Sequence, residues 1–105
     1  MTNKNKQLNL KSLRFLSPKL YNYITDILQE TYNIHSYDLQ MDAEQKEDGL
    51  QVIIRYGETF SHKQANFFTH EQIDNLSNEI LDFVNKTGEA CTEVLIDDYF
   101  KIYAP

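Results

Sequence analysis

Three histidines, one cysteine and a few acidic clusters are the residues of this chain whose types could do chemistry. His62 and His70 stand eight apart, and His70 with Asp74 has the i, i+4 spacing that sets two metal ligands on one helical face. No further ligand follows at a recognisable spacing, so a surface pair in a first helical turn explains them equally well. His35 falls at the end of an expected helix, where an imidazolium complements the helix dipole. Cys91 would need a nearby base and an exposed, electropositive setting to act as a nucleophile, but it stands beside Ala90 in an apolar run. It reads as a core thiol. Asp97 and Asp98, four and three residues before Lys101, echo the carboxylates and lysine of metal-dependent nucleases. They lack the upstream aspartate and the acid two residues before the lysine. Asp42, Glu44, Glu47 and Asp48 lack the alternation and central glycine of a calcium loop. Gly49, Gly57 and Gly88 form no phosphate-binding loop. No cofactor or metal is expected, and a catalytic role ranks below a binding role.

Charge is the stronger signal. Ten basic residues against 16 acidic ones give a net charge of −6. Residues 1–19 hold Lys4, Lys6, Lys11, Arg14 and Lys19 and no acid, so the remainder of the chain is at −11. An acidic body repels phosphate and anionic headgroups and favours basic protein partners. The basic arm is the one place where nucleic acid would bind, through those five cations. The stretch Leu13–Leu20 is interrupted by Arg14, Ser17, Pro18 and Lys19. It is neither a membrane span nor a signal core, and a cytoplasmic location is expected.

At 105 residues, 41% hydrophobic, the chain has the size of one domain, expected over 10–105 behind a flexible tail at 1–9. Leu10, Leu13 and Leu16 have the spacing of a short amphipathic turn. Ser17 and Pro18 then form an N-cap and first-turn pair that predicts a helix to about Asn33, with Leu20, Ile24, Ile27 and Leu28 on its apolar stripe. The period changes to two at Tyr37, Leu39, Met41 and Ala43 and resumes after Asp48-Gly49 at Leu50, Val52, Ile54 and Tyr56, which predicts a β-hairpin. A two-residue turn at Gly57-Glu58 leads to a third strand over 59–68, an edge strand or an irregular loop because neither face is apolar.

Thr69 and Gln72 have capping-box spacing and predict a second helix to about Lys86, with Gly88 as its stop. β-branched and aromatic residues from Ala90 to Tyr103 predict a last strand, bulged at Asp97-Asp98. The expected fold is α+β, in the order α-β-β-β-α-β: three to four antiparallel strands with two helices on one face. The opening α-β-β-β-α resembles double-stranded RNA-binding domains in topology. However, the second helix opens His70, Glu71, Gln72, Ile73, Asp74, with no lysine for phosphate. The expected function is a non-enzymatic interaction or regulatory module. Its candidate partner-binding residues are Tyr99, Phe100 and Tyr103 with Asp97 and Asp98, meeting a protein partner or a second copy. Nucleic-acid binding through the arm, or a small enzyme or metal site at His62/His70 or Asp97/Asp98, are the alternatives.

Overall fold

The computed structural model describes residues 9–103, with side chains through residue 99. The expected tail at 1–9, with Lys4 and Lys6, lies outside the described residues apart from Asn9, as do the side chains of Phe100 and Tyr103. The fold is α+β: a four-stranded antiparallel sheet in the order β1-β2-β3-β4, with helices packed on one face. The elements are β1 (Leu10–Ser12), α1 (Leu13–Leu16), α2 (Pro18–Tyr32), β2 (Leu39–Gln45), β3 (Gly49–Tyr56), β4 (His62–Thr69), α3 (His70–Asn75) and α4 (Asn78–Tyr103).

The local signals around α2 act as their chemistry dictates. The Ser17 hydroxyl accepts the Leu20 N–H at 3.3 Å, Pro18 opens the helix, and Asn33 closes it at φ 57°. Leu20, Ile24 and Leu28 are fully buried beneath it. Upstream, Leu10 begins a short edge strand on β2 rather than a helical turn, since pairing satisfies backbone groups that a lone turn would leave open. Downstream, Ser36–Asp38 form a 3₁₀ turn, and β2 starts at Leu39. Tyr37 is therefore exposed, stacked on His35 at 5.2 Å, instead of facing the core. The β2–β3 hairpin closes where Lys46 N–H donates to the Gly49 carbonyl at 2.8 Å. A Cβ at Gly49 would collide with the Phe68 carbonyl oxygen. The second connection is a five-residue loop, 57–61, rather than a two-residue turn, with Gly57 and Phe60 both at positive φ. It leads to β4, a regular edge strand.

The sheet has one buried face. Leu39, Met41, Ala43, Leu50, Val52, Ile54, Tyr56 and Phe68 meet Leu13, α2 and α4 in a single core. The opposite face carries Gln40, Asp42, Glu44, Gln51, Arg55 and Lys63, with Ile53 buried among them beside Ala65 and Phe67. No helix among the described residues is long and apolar enough to cross a membrane.

The second half of the chain departs most from the sequence expectation. The capping box forms, with Thr69 Oγ1 accepting from Gln72 N–H at 3.1 Å and Gln72 Oε1 accepting from Thr69 N–H at 2.9 Å. The helix it starts ends at Asn75. Leu76 takes a left-handed φ of 48°, and Ser77 N–H donates back to the Gln72 carbonyl at 3.0 Å. A new helix, α4, begins at Asn78 and runs 26 residues to Tyr103. Gly88 is therefore not a stop, the last strand expected over Ala90–Tyr103 is helical, and Asp97-Asp98 is not a bulge. Packing gives the physical reason. Gly88 lies against the ring of Tyr32, where a Cβ would come within 2.5 Å of Cδ2 and Cε2, and the Tyr32 hydroxyl donates to Asn85 Oδ1 at 3.0 Å. Thr92 Oγ1 donates to the Gly88 carbonyl at 2.8 Å. Ile80, Val84, Thr87, Cys91 and Val94 then follow one helical stripe onto the core. The sheet's fourth strand comes from the N-terminal side, as β1.

Candidate interaction groove

The structure separates the residues that a catalytic reading would group. His62 opens β4 and stacks on Tyr56 at 5.7 Å, whereas His70 opens α3 just beyond the other end of that strand. Eight strand residues hold them about 26 Å apart along β4. The His35 backbone N–H donates to Asp38 Oδ2 at 3.0 Å. Among the described residues no three His, Cys, Asp or Glu side chains cluster in a way that could hold a metal ion.

Cys91 is fully buried in the middle of the α4 stripe. Burial, reinforced by the Asp38 carboxylate, pushes its thiol up to about 11 from 9.0. A thiol held neutral in this way is not a nucleophile near neutral pH. A stability consequence follows. The unfolded chain releases this proton near pH 9, and the folded chain keeps it to about pH 11. The stabilisation is therefore complete below pH 9 and is lost as the pH rises toward 11, by about 2 kcal/mol. Urea unfolding at pH 7 and about pH 10 should show the wild-type chain losing more stability than Cys91→Ala over the same interval. Equal losses in the two chains would remove the buried thiol as the cause.

The described cations of the basic arm are spread over three elements: Lys11 on β1, Arg14 on α1 and Lys19 in the first turn of α2. The Lys19 ammonium donates to the Asp74 carbonyl at 2.6 Å, against the C-terminal end of α3. The Arg14 guanidinium lies 5.9 Å from the Tyr21 ring centroid. Both have local structural employment.

Tyr99 comes together with residues that the sequence reading did not pick, while Asp97 and Asp98 precede it on α4 without lining the same groove. Where α2 ends and α4 crosses it, Tyr32, Asn33 and Ile34 form one wall of a groove of about 460 Å³. Thr92, Leu95, Ile96 and Tyr99 form the other. Their spacing is i, i+3, i+4, i+7, which is one face of a helix and is visible only once the segment is read as helical. Ile96 is 49% exposed and Tyr99 57% exposed, although both belong to types that ordinarily seek cover. The surrounding α4 segment, residues 89–99, carries Glu89, Glu93, Asp97 and Asp98 and no base. Glu89, Glu93 and Asp97 are exposed and Asp98 is half-buried. The groove therefore offers an apolar lining, and the α4 segment that forms one wall of it is acidic. Compared with known protein families, curated proteins and solved structures, the chain gives no significant match.

Proposed function

We propose that the protein is a non-catalytic interaction module whose groove between α2 and α4 receives an amphipathic segment of a partner protein, apolar on one side and basic on the other. The observation that carries this reading is the stripe of half-buried Thr92 and Leu95 with exposed Ile96 and Tyr99 beside Ile34, set in a segment with four acids and no base. An apolar stripe at helical spacing beside a groove is the geometry that takes a helix by its i, i+3, i+4, i+7 anchors. Acidic groups at the rim steer a basic partner and raise its rate of encounter more than they lower the final free energy. Asp97, Asp98 and Tyr99 keep their role as partner-binding residues, now on a helix.

The test uses a fluorescent synthetic peptide with leucine on one helical face and lysine on the other, titrated against the full chain by anisotropy. Saturable binding is expected, weakened about tenfold or more by Ile96→Ser, which removes apolar contact and leaves every charge in place. Asp97→Asn with Asp98→Asn should slow association and flatten the salt dependence. Binding that Ile96→Ser leaves unchanged would reduce the interaction to non-specific charge attraction and overturn the reading. So would equal binding of the peptide's glutamate counterpart.

A further inference from the structure

The two edges of the sheet are unequal. β1 is three residues long and carries Lys11, so it offers little to pair with. β4 is eight residues long and holds regular register with β3 from Gly49↔Thr69 to Tyr56↔His62, without a bulge. It contains no proline, and its only fixed charge is Lys63. The length, the regular register and the lack of proline are features that natural edge strands avoid when they are meant to stay unpaired, and Lys63 is the one edge-blunting charge on the strand. The hydrogen-bond phase shows which groups are available. Lys46 N–H donates to the Gly49 carbonyl, and His70 N–H to the Asp48 carbonyl at 2.9 Å. By antiparallel alternation, His62, Gln64, Asn66 and Phe68 bond to β3. Lys63, Ala65 and Phe67 therefore turn their backbone N–H and C=O groups away from the sheet. Phe67 is 38% exposed, and Ala65 is exposed beside it.

We infer that β4 is a self-association edge, on which a second copy of this chain pairs its own β4 antiparallel about a two-fold axis at Ala65, joining the two sheets into one. The sequence of the strand is self-complementary in that register. Ala65 faces Ala65 of the second copy, so the axis passes through the smallest side chain of the strand. Lys63 faces Phe67 of the second copy on the open sheet face, and its stem and ammonium lie against the ring while the two lysines stay apart. On the helix face, Gln64 faces Asn66 of the second copy. Gln64 Nε2 already donates to the Tyr56 hydroxyl at 3.1 Å, which leaves its Oε1 to accept from that asparagine amide. The Asn66 amide now reaches only the neighbouring Phe67 carbonyl, at 3.4 Å. Each pair of outward-facing residues exchanges two main-chain bonds.

The helix beside the edge agrees. Glu79, Asp82 and Lys86 of α4 line a hollow of about 270 Å³ with Gln64, Ala65 and Asn66. A two-fold axis at Ala65 runs the two α4 helices antiparallel, which turns the Glu79 and Asp82 end of one toward Lys86 of the other. Opposite charges meet, although the chain as a whole carries −6.

Light scattering and sedimentation of the full chain over a range of concentrations should give a dimer. In Ala65→Pro the lost N–H faces away from β3, so circular dichroism should remain native while the dissociation constant rises at least about tenfold. Ala65→Cys should form a covalent dimer under mild oxidation, because hydrogen-bonded antiparallel partners stand about 5.5 Å apart at Cα, within disulfide range. Gln64→Cys, facing Asn66 instead of itself, should cross-link far more slowly. The cross-linking pair decides the matter even if the proline variant fails to fold. A monomer at every concentration would overturn the inference and leave the edge to an extended peptide of another protein. A folded Ala65→Pro dimer as tight as wild type, or equal cross-linking at 64 and 65, would also overturn it.

Discussion

Phe68→Ala is expected to remove about 3–5 kcal/mol of stability, measured as the shift in urea unfolding free energy at constant slope. Phe68 is fully buried and is the only buried residue of β4. It sits opposite Leu50 in the ladder and meets Phe83 of α4 edge to face, with ring centroids 5.4 Å apart. Truncation leaves a cavity between sheet and helix, and it also removes the one side chain that fastens an otherwise exposed strand to the core. Against a total stability of about 5–15 kcal/mol for a domain of this kind, the loss is a large share. Phe68→Leu, which keeps most of the volume, should cost clearly less. An alanine variant within about 1 kcal/mol of wild type would mean that backbone pairing with β3 holds β4 without the anchor.

Gly88→Ala should also destabilise, against the ordinary rule for a helix interior. Intrinsic propensity favours alanine over glycine there by about 1 kcal/mol. The new methyl group, however, would lie 2.5 Å from two ring carbons of Tyr32 and 2.8 Å from a third. To make room, the ring must turn out of its bond to Asn85 or the two helices must separate, at a cost of about 1–3 kcal/mol that outweighs the propensity gain. The contact can be isolated by its sign. In a Tyr32→Ala background the three atoms nearest the methyl group are gone, and Gly88→Ala should then stabilise by about 1 kcal/mol. If the substitution stabilises both backgrounds equally, Gly88 is not what sets the approach of α2 to α4.

The same glycine explains why the C-terminal third of the chain is misread from sequence. Glycine after Lys86 is a common helix stop, and the β-branched and aromatic residues of 90–103 favour strands. Both are local signals, and neither contains the ring of Tyr32 from 56 positions earlier in the chain. A helical reading was present in the spacing of Ile80, Val84, Thr87, Cys91 and Val94, which continues through Gly88 without a change of phase. With the segment taken as a strand, Tyr99 stands at a sheet edge. Taken as a helix, it joins Thr92, Leu95 and Ile96 on one face, and the groove exists. Asp97, Asp98 and Tyr99 were therefore legible as chemically distinctive residues, but the groove that Tyr99 lines was not. Ile34 and Tyr32 reach it only through the packing of α2 on α4.

Whatever depends on neighbours in the chain was legible from the residues. This covers the Ser17-Pro18 start and Asn33 end of α2, the period-two strands β2 and β3 with the polar turn between Lys46 and Gly49, the Thr69–Gln72 capping box and the acidic balance of the body. Each is set by hydrogen bonds, dihedral preferences or side-chain alternation within a few residues. Only the packing of distant elements decided that the segment after the Gly57 loop is a regular edge strand and not an irregular loop, and that Gly88 would seat a helix and not end one. It also decided that Leu10–Ser12, rather than the C-terminus, would complete the sheet. These outcomes turn on side chains and backbone groups far apart in sequence competing for the same buried surface, a competition whose free energy exceeds the roughly 1 kcal/mol of local propensity that it overrides.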